Sequence, residues 1–275
     1  AAGFASTIFA PLTSALAGPL GWRGTYLVLA AVLAAVTIPA HALGLRLPWT
    51  QRPPGPAAVG PRPDRHVLAS RPFLLLVTAA TLCAFAQYAA LVNLVPLLTG
   101  RGLSPVLAAW ALGLGGAGQV GGRLCYRALA SRLGARGRTV AIIAAGAMVT
   151  LLLGLLPGPA ALLIAAAVLA GTIRGVFTLT EATLVADYWG SGRYAVVNGV
   201  FNAPLTAAGA VAPSAGAAIA AATGSYPALF AILAVLAMAG AGLAAAAPVP
   251  GGPDGEPGGS GGGRQPGCQP PDPGG

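Results

Sequence analysis

Arg174 is the cation of this chain best placed to do chemistry, because it interrupts a run otherwise free of charge and long enough to cross a bilayer. A charge at the centre of a spanning helix costs about 2.5–3.5 kcal/mol on insertion scales, so it needs a partner, water or a ligand. Counting ~1.5 Å per residue from Ala160 places Arg174 about 21 Å along its helix, at or slightly inside the midplane. A guanidinium there is expected to grip an anionic substrate's carboxylate through paired hydrogen bonds. The competing reading is a pair with a carboxylate or backbone carbonyl that only holds helices together. Glu181 follows seven residues later on roughly the same helix face and is the only acid in any expected span. Two turns, about 10 Å, separate the pair, too far for simple contact. A desolvated carboxylate is able to carry a coupling proton. Alternatively, Glu181 lies roughly 30 Å along the helix, where it reaches the cytoplasmic interface and pairs with Arg127 or Arg132.

Uncharged polar groups at membrane depth come next. Gln87 lies near the middle of the third expected helix, with Tyr88 beside it and Asn93 further outward; Gln119, Asn198 and Asn202 are at similar depth. Each is expected either to hydrogen-bond substrate or to bridge helices, the latter contributing about 0.6 kcal/mol in such settings. Asp187 and Arg193 flank a tight turn. With the cluster from Arg123 to Arg138, Arg123, Arg127 and Arg132 foremost, they are candidates for salt bridges that hold an inward gate shut, against the plainer reading of solvated charges.

Other chemistry is excluded by inventory. All fifteen cationic side chains are arginine, so no Walker A lysine exists for nucleotide phosphates. His41 and His66 stand 25 residues apart without nearby cysteines, and no H-E-x-x-H occurs. No Ser, His and Asp set stands out within a span, so no enzyme activity, metal or other cofactor is expected. Cys83, Cys125 and Cys268 suggest no disulfide framework.

Helices must position these groups. The 275 residues are 56% hydrophobic and 8% charged, with a mean hydropathy of +0.76, far from the roughly 25% charged composition of a soluble domain. Residues 1–22, 24–45, 72–100 and 102–122 contain no charge, and each reaches the ~20 residues of a spanning helix. Two longer runs divide at Leu156-Pro157-Gly158-Pro159 and at Thr223-Gly224-Ser225-Tyr226-Pro227. The expectation is an all-α polytopic bundle of about eight transmembrane helices, near 1–20, 25–45, 73–98, 106–124, 140–156, 160–184, 196–222 and 227–247.

Arginine placement orients them. Arg46, Arg52, Arg62, Arg65 and Arg71 punctuate one polar segment and Arg123, Arg127, Arg132, Arg136 and Arg138 another. Alternating sides gives twelve arginines on one face, including Arg193 and Arg264, against Arg23 and Arg101 on the other. By the positive-inside rule the twelve-arginine face is cytoplasmic, as is the C-terminus, in the cell membrane. The net charge of +9 is therefore topological and headgroup-directed, and nucleic acid is not an expected partner.

Residues 46–71 turn to Pro, Gly and Arg and read as a cytoplasmic linker dividing two helices (1–45) from six (72–247). Residues 248–275 read as a disordered Gly/Pro tail. The chain opens on Ala1-Ala2-Gly3 without methionine; four further hydrophobic segments upstream would complete a six-plus-six protein. Gly118 and Gly122, and Gly171 and Gly175, have GxxxG spacing and predict close backbone approach. Pro204 and Pro213 are expected to bend the seventh helix.

Three segments carry a family resemblance. In Gly122-Arg123-Leu124-Cys125-Tyr126-Arg127-Ala128-Leu129-Ala130-Ser131-Arg132-Leu133-Gly134-Ala135-Arg136, the residues Leu129, Ala130, Arg132, Gly134 and Arg136 match the form G-x-L-A-D-R-x-G-R-R. Arg127, Ser131 and Ala135 depart from it, as in a second, weaker copy. Leu20-Gly21-Trp22-Arg23-Gly24-Thr25-Tyr26 resembles an external turn, and the stretch from Ala186-Asp187-Tyr188 to Val197-Asn198-Gly199 a short cytoplasmic one. Together they resemble the major facilitator superfamily of secondary transporters, with the eight helices as its helices five to twelve. Asn93-Leu94-Val95-Pro96-Leu97-Leu98 and Arg101-Gly102-Leu103-Ser104-Pro105 look like bacterial members of the monocarboxylate-porter type. The resemblance implies alternating access about a midplane site for a small-molecule solute, with proton symport or antiport as an option. A non-transporting membrane sensor or scaffold of the same fold, and a non-functional truncated product, are the alternatives.

Overall fold

The computed structural model describes residues 4–45, 65–190 and 194–248. Arg46, Arg52 and Arg62 of the expected linker, Arg193, and residues 249–275 with Arg264 and Cys268 lie outside the described residues. All described elements are helices: α1 (Phe4–Gly44), α2 (Arg65–Leu68), α3 (Arg71–Gly100), α4 (Pro105–Ala130), α5 (Ala135–Leu155), α6 (Ala160–Trp189), α7 (Tyr194–Thr223) and α8 (Tyr226–Ala246).

Local chemistry sets where three of them begin. Ser70, Ser104 and Ser225 are N-caps whose side chains accept from the backbone N–H of Phe73, Leu107 and Ala228 at 3.4, 3.2 and 3.2 Å, with a proline in each first turn. Serine satisfies a free helical donor, and proline has no N–H to leave unsatisfied. The break at Leu156-Pro157-Gly158-Pro159 ends α5 and starts α6 as expected. At the C-terminus of α6, Gly190 takes φ 74°, a conformation that glycine adopts without a Cβ penalty.

Six of the described helices are long and apolar enough to span a membrane: α1 from Ile8 to Gly44, α3, α5, α6, α7 and α8. Two differences from the expected eight have physical causes. The glycines crowded into α4 lower its hydropathy, although its 26 residues exceed the length of a span. The expected turn at 21–24 shrinks to one residue, Gly21 (φ 63°, ψ 177°), so α1 is two helical halves joined at a single break.

A third difference concerns the arginine-rich segment after α4. Arg123 and Arg127 ride on the last turns of α4, and Arg136 and Arg138 on the first turn of α5, leaving only residues 131–134 as the connection. The bilayer limits the length of the apolar run, not of the helix, and arginine is a good helix former.

Helices α3 to α8 form one packed unit, in which α4 lies on α6, α5 on α8 and α6, and α3 on α7 and α8; α1 packs against α4. Two apolar clusters fill it. Phe73, Phe177, Val185 and Phe201 belong to one, Leu98, Leu163, Phe230 and Leu233 to the other. Each end of the bundle is tied by arginine. At the end without the arginine-rich segment, Arg101 donates to the carbonyls of Leu156 and Gly154, the latter at 2.6 Å, capping the C-terminus of α5. At the other end Arg136 donates to the Ala245 carbonyl of α8.

Helix α7 runs from Tyr194 to Thr223 with Pro204 and Pro213 inside it. The tightest packing is between α4 and α6. A methyl group at Gly118 or Gly122 would overlap the carbonyls of Val168 or Thr172, and one at Gly171 or Gly175 would overlap those of Gly115 or Gln119. Both predicted GxxxG pairs thus meet in one interface, with glycine on each side admitting the other backbone.

Candidate functional site

That interface presents Arg174 beside Gln119, the residue whose carbonyl Gly175 touches. A cavity of about 520 Å³ opens here between α3, α4, α6 and α7. Arg174, Thr178 and Glu181 contribute from α6, with i, i+4, i+7 spacing that gives one helical stripe. Gln87 and Tyr88 face them from α3, Gln119 from α4, and Asn198 and Asn202 from α7. Polar groups from four helices therefore converge on one space, which is how bundles build ligand sites.

Two polar atoms in this wall are buried without a hydrogen-bond partner: Nε of Arg174 and Oε1 of Gln87. One donates and the other accepts. Among the described residues no carboxylate pairs with Arg174, and the amide nitrogen of Gln87 is spent on the Cys83 sulfur at 3.1 Å. Native structures rarely leave buried polar atoms unsatisfied, so an orphaned donor and acceptor in one cavity are the marks of a ligand site. Tyr88 is 49% exposed, and its ring lies against α7 where Gly209 has no side chain.

Glu181 borders both this cavity and a neighbouring one of about 360 Å³ between α3, α6 and α7, reached past Tyr88. Neither Arg127 nor Arg132 pairs with it among the described residues. The interfacial pairing considered for Glu181 is thus not formed. Asn93 does not line the cavity. It is 3% exposed, donates to the Ala89 carbonyl at 2.9 Å, and its amide occupies the space beside Gly216, where a Cβ would come within 2.6 Å. Its place is the α3–α7 seam.

The gate candidates divide. Asp187 pairs with Arg138, the last member of the basic cluster expected to supply its partner, and Arg138 also reaches Thr183 Oγ1 at 3.5 Å and lies 5.4 Å from the Tyr126 ring centre. Tyr126 and Thr183 share a hydrogen bond of 2.7 Å. This network joins α4, α5 and α6. Arg123 lies close by in sequence with its Nε buried and unpartnered, while Arg127 and Arg132 form no ion pair among the described residues. Because the Arg138 side chain is 7% exposed and that of Asp187 33%, the pair ranks between a surface and a buried one. Asp187→Ala is expected to cost about 2 kcal/mol of stability. Thermal unfolding in detergent measures this, and a variant as stable as the native protein would show the pair to be incidental.

Sequence reasoning missed Thr178, Tyr126 and Thr183, and held Arg138 as one of several candidate partners in the basic cluster. Thr178 was legible as the middle member of the stripe from Arg174 to Glu181. Thr183 and Asp187, four residues apart, likewise share a face.

Among known families, the Major Facilitator Superfamily matches residues 1–213, from the start of the chain to the second proline of α7. A comparison with curated proteins gives no match. An all-helical bundle with six apolar helices of spanning length, a polar cavity walled by four of its helices, and a family match over most of its length lead to one conclusion: this chain belongs to the major facilitator superfamily of multi-pass membrane transporters.

Proposed function

We propose that the protein carries a small organic anion across the cytoplasmic membrane by alternating access, coupled to protons. The observation that carries this reading is the Arg174 guanidinium, whose Nε is buried without a hydrogen-bond partner and which pairs with no carboxylate among the described residues, at a cavity in the membrane-spanning bundle. An uncompensated charge at that depth costs several kcal/mol less once an anion neutralises it. A carboxylate fits the fork of an arginine through two parallel hydrogen bonds. Gln87 then offers its free oxygen to a hydroxyl or protonated group of the ligand, and Tyr88 borders the exposed side.

Glu181 is the proton site in this reading. It shares the cavity with Arg174, has no cationic partner among the described residues, and stands two turns nearer the arginine-rich end. That end faces the cytoplasm by the positive-inside rule. Residues 1–45 belong to one half of the transporter, 72–247 to the other, and 46–71 to the linker between them.

Liposomes reconstituted with the full-length protein test the proposal. Inward proton gradients should drive accumulation of carboxylates, and Glu181→Gln should abolish accumulation while leaving exchange of labelled for unlabelled substrate. Accumulation undiminished in Glu181→Gln removes that residue from the coupling role. The absence of any carboxylate uptake favours the sensor or scaffold alternative.

A further inference from the structure

The first turn of α5 gathers more positive charge than the bundle answers. Arg136 and Arg138 lie in it, at the helix end where backbone N–H groups already make a positive pole. Its N-cap is Gly134, which has no side chain to accept from those donors. Among the described residues Asp187 is the one carboxylate that pairs here, and it is taken up by Arg138 Nη2. Arg138 Nε and the Tyr188 hydroxyl remain buried without a hydrogen-bond partner, in residues that are 6% and 5% exposed. The Tyr188 hydroxyl stands within electrostatic reach of Arg136, Asp187 and Arg138, which puts it at the same turn. Two orphaned polar groups, an uncapped helix end and a surplus cation together suit an anion with several acceptor oxygens, as a phosphate group has.

The surface leading away from this turn points to what carries the phosphate. Gly134 and Gly137 are exposed, and a Cβ at either would meet nothing within 4 Å, so the approach is open. Gly137, Ala141, Met148, Leu152 and Leu155 lie within about 60° of one another around the helix, and all five are exposed. An apolar stripe therefore runs from the open turn along the whole of α5. Trp189, with its ring 5.5 Å from that of Tyr188 and 5.6 Å from that of Phe73, marks this level as a membrane–water boundary. A phosphate at the boundary with hydrocarbon beneath it is a phospholipid.

We propose that the N-terminus of α5, with Arg136, Arg138 and Tyr188, binds the phosphate of an anionic phospholipid in the leaflet at that end of the bundle. The surplus positive charge selects an anionic headgroup, because it repels the ammonium of a zwitterionic one. Arg136 also holds the Ala245 carbonyl and Arg138 holds Asp187, so the lipid fastens α5 to α8 and to α6 at one point. The site is separate from the polar cavity and independent of what that cavity carries.

Native mass spectrometry of the full-length protein, titrated in detergent with phosphatidylglycerol or phosphatidylcholine, reads the affinity of the first bound lipid. The native protein should prefer phosphatidylglycerol by about tenfold or more, the scale of one charge-assisted hydrogen bond. Gly134→Asp places a carboxylate at the N-cap, where it takes the donors that the phosphate would use. It should cut the preference below about threefold in a protein at least as stable as the native one. Tyr188→Phe removes one donor and should lower phosphatidylglycerol affinity several-fold while leaving phosphatidylcholine binding unchanged. Arg127→Gln, which removes an exposed charge from the same end of the bundle, should keep the full preference. No preference in the native protein, an undiminished preference in both Gly134→Asp and Tyr188→Phe, or an equal loss in Arg127→Gln, the mark of diffuse attraction only, overturns the site. Inorganic phosphate alone should give no thermal stabilisation. Stabilisation by it equal to that by phosphatidylglycerol overturns the lipid as occupant.

Discussion

Arg174→Ala should abolish carboxylate binding and uptake while leaving the protein at least as stable as the native one. The two effects have opposite signs because the arginine burdens the empty protein and serves the loaded one. Removing a central charge relieves about 2.5–3.5 kcal/mol of insertion cost. Removing one partner of a desolvated arginine–carboxylate pair costs about 2–5 kcal/mol of binding, which is a loss of roughly 30- to 4,000-fold. A residue that merely bridged helices would give the reverse pattern, with stability falling and binding following it. Arg174→Lys keeps the charge but loses the planar fork, so binding should recover to within about tenfold of native. The measurements are calorimetric titration and thermal unfolding of the same preparations. Unchanged binding in Arg174→Ala removes this residue from the site.

The second large effect belongs to the α4–α6 seam. Gly171→Val should prevent the bundle from assembling, at a cost of about 3–5 kcal/mol. Ordinary overpacking of a core costs about 1–3 kcal/mol because side chains can move aside. Here the atom in the way is the Gly115 carbonyl oxygen, held by the backbone of a continuous helix, and it can yield only if α4 as a whole retreats. Such a retreat would also loosen the contacts at Gly118, Gly122 and Gly175, which share the seam. Gly121, one position from Gly122, is the control. A Cβ there meets nothing within 4 Å, so Gly121→Ala should be neutral or gain about 0.4–1 kcal/mol through a less flexible unfolded chain. Size-exclusion profiles and melting curves in detergent distinguish the two, and equal stability of Gly171→Val and Gly121→Ala would refute the close approach.

Much of the architecture was legible because lipid is a severe solvent. Long apolar runs had to be helices, and the pairs of prolines and glycines near 157 and 224 had to end them. The helix limits were less legible. The segment 122–138 reads as a loop by charge, yet it is mostly helix, since arginines at a membrane surface neither break hydrogen bonds nor need to leave the helix axis. The GxxxG pairs were visible as spacing, and the structure adds that the two pairs face each other.

The candidate site was legible only in part. Arg174, Glu181, Gln87 and Tyr88 could each be picked out by polarity at membrane depth, and all four do line one cavity. Asn93 satisfied the same criterion and lies in a helix seam instead. Asp187 was recognisable as a charge needing a partner, but Arg123, Arg127, Arg132 and Arg138 were equivalent candidates along the chain. Helix rotation chose Arg138.

By itself, then, the sequence determined most of the spans, the ends of most helices, the sidedness expected of their connections, and which few residues would be costly to bury. These are properties of one helix in one solvent, set by hydropathy, charge and backbone hydrogen bonding along a single segment. Only the tertiary structure decided that α4 and α6 meet glycine to backbone, that polar groups from four helices face a common space, and that an apolar pocket adjoins Arg174. Those outcomes depend on how far and how rotated each helix is relative to its neighbours. Packing sets distance and rotation between segments, and periodicity within one segment carries no record of either.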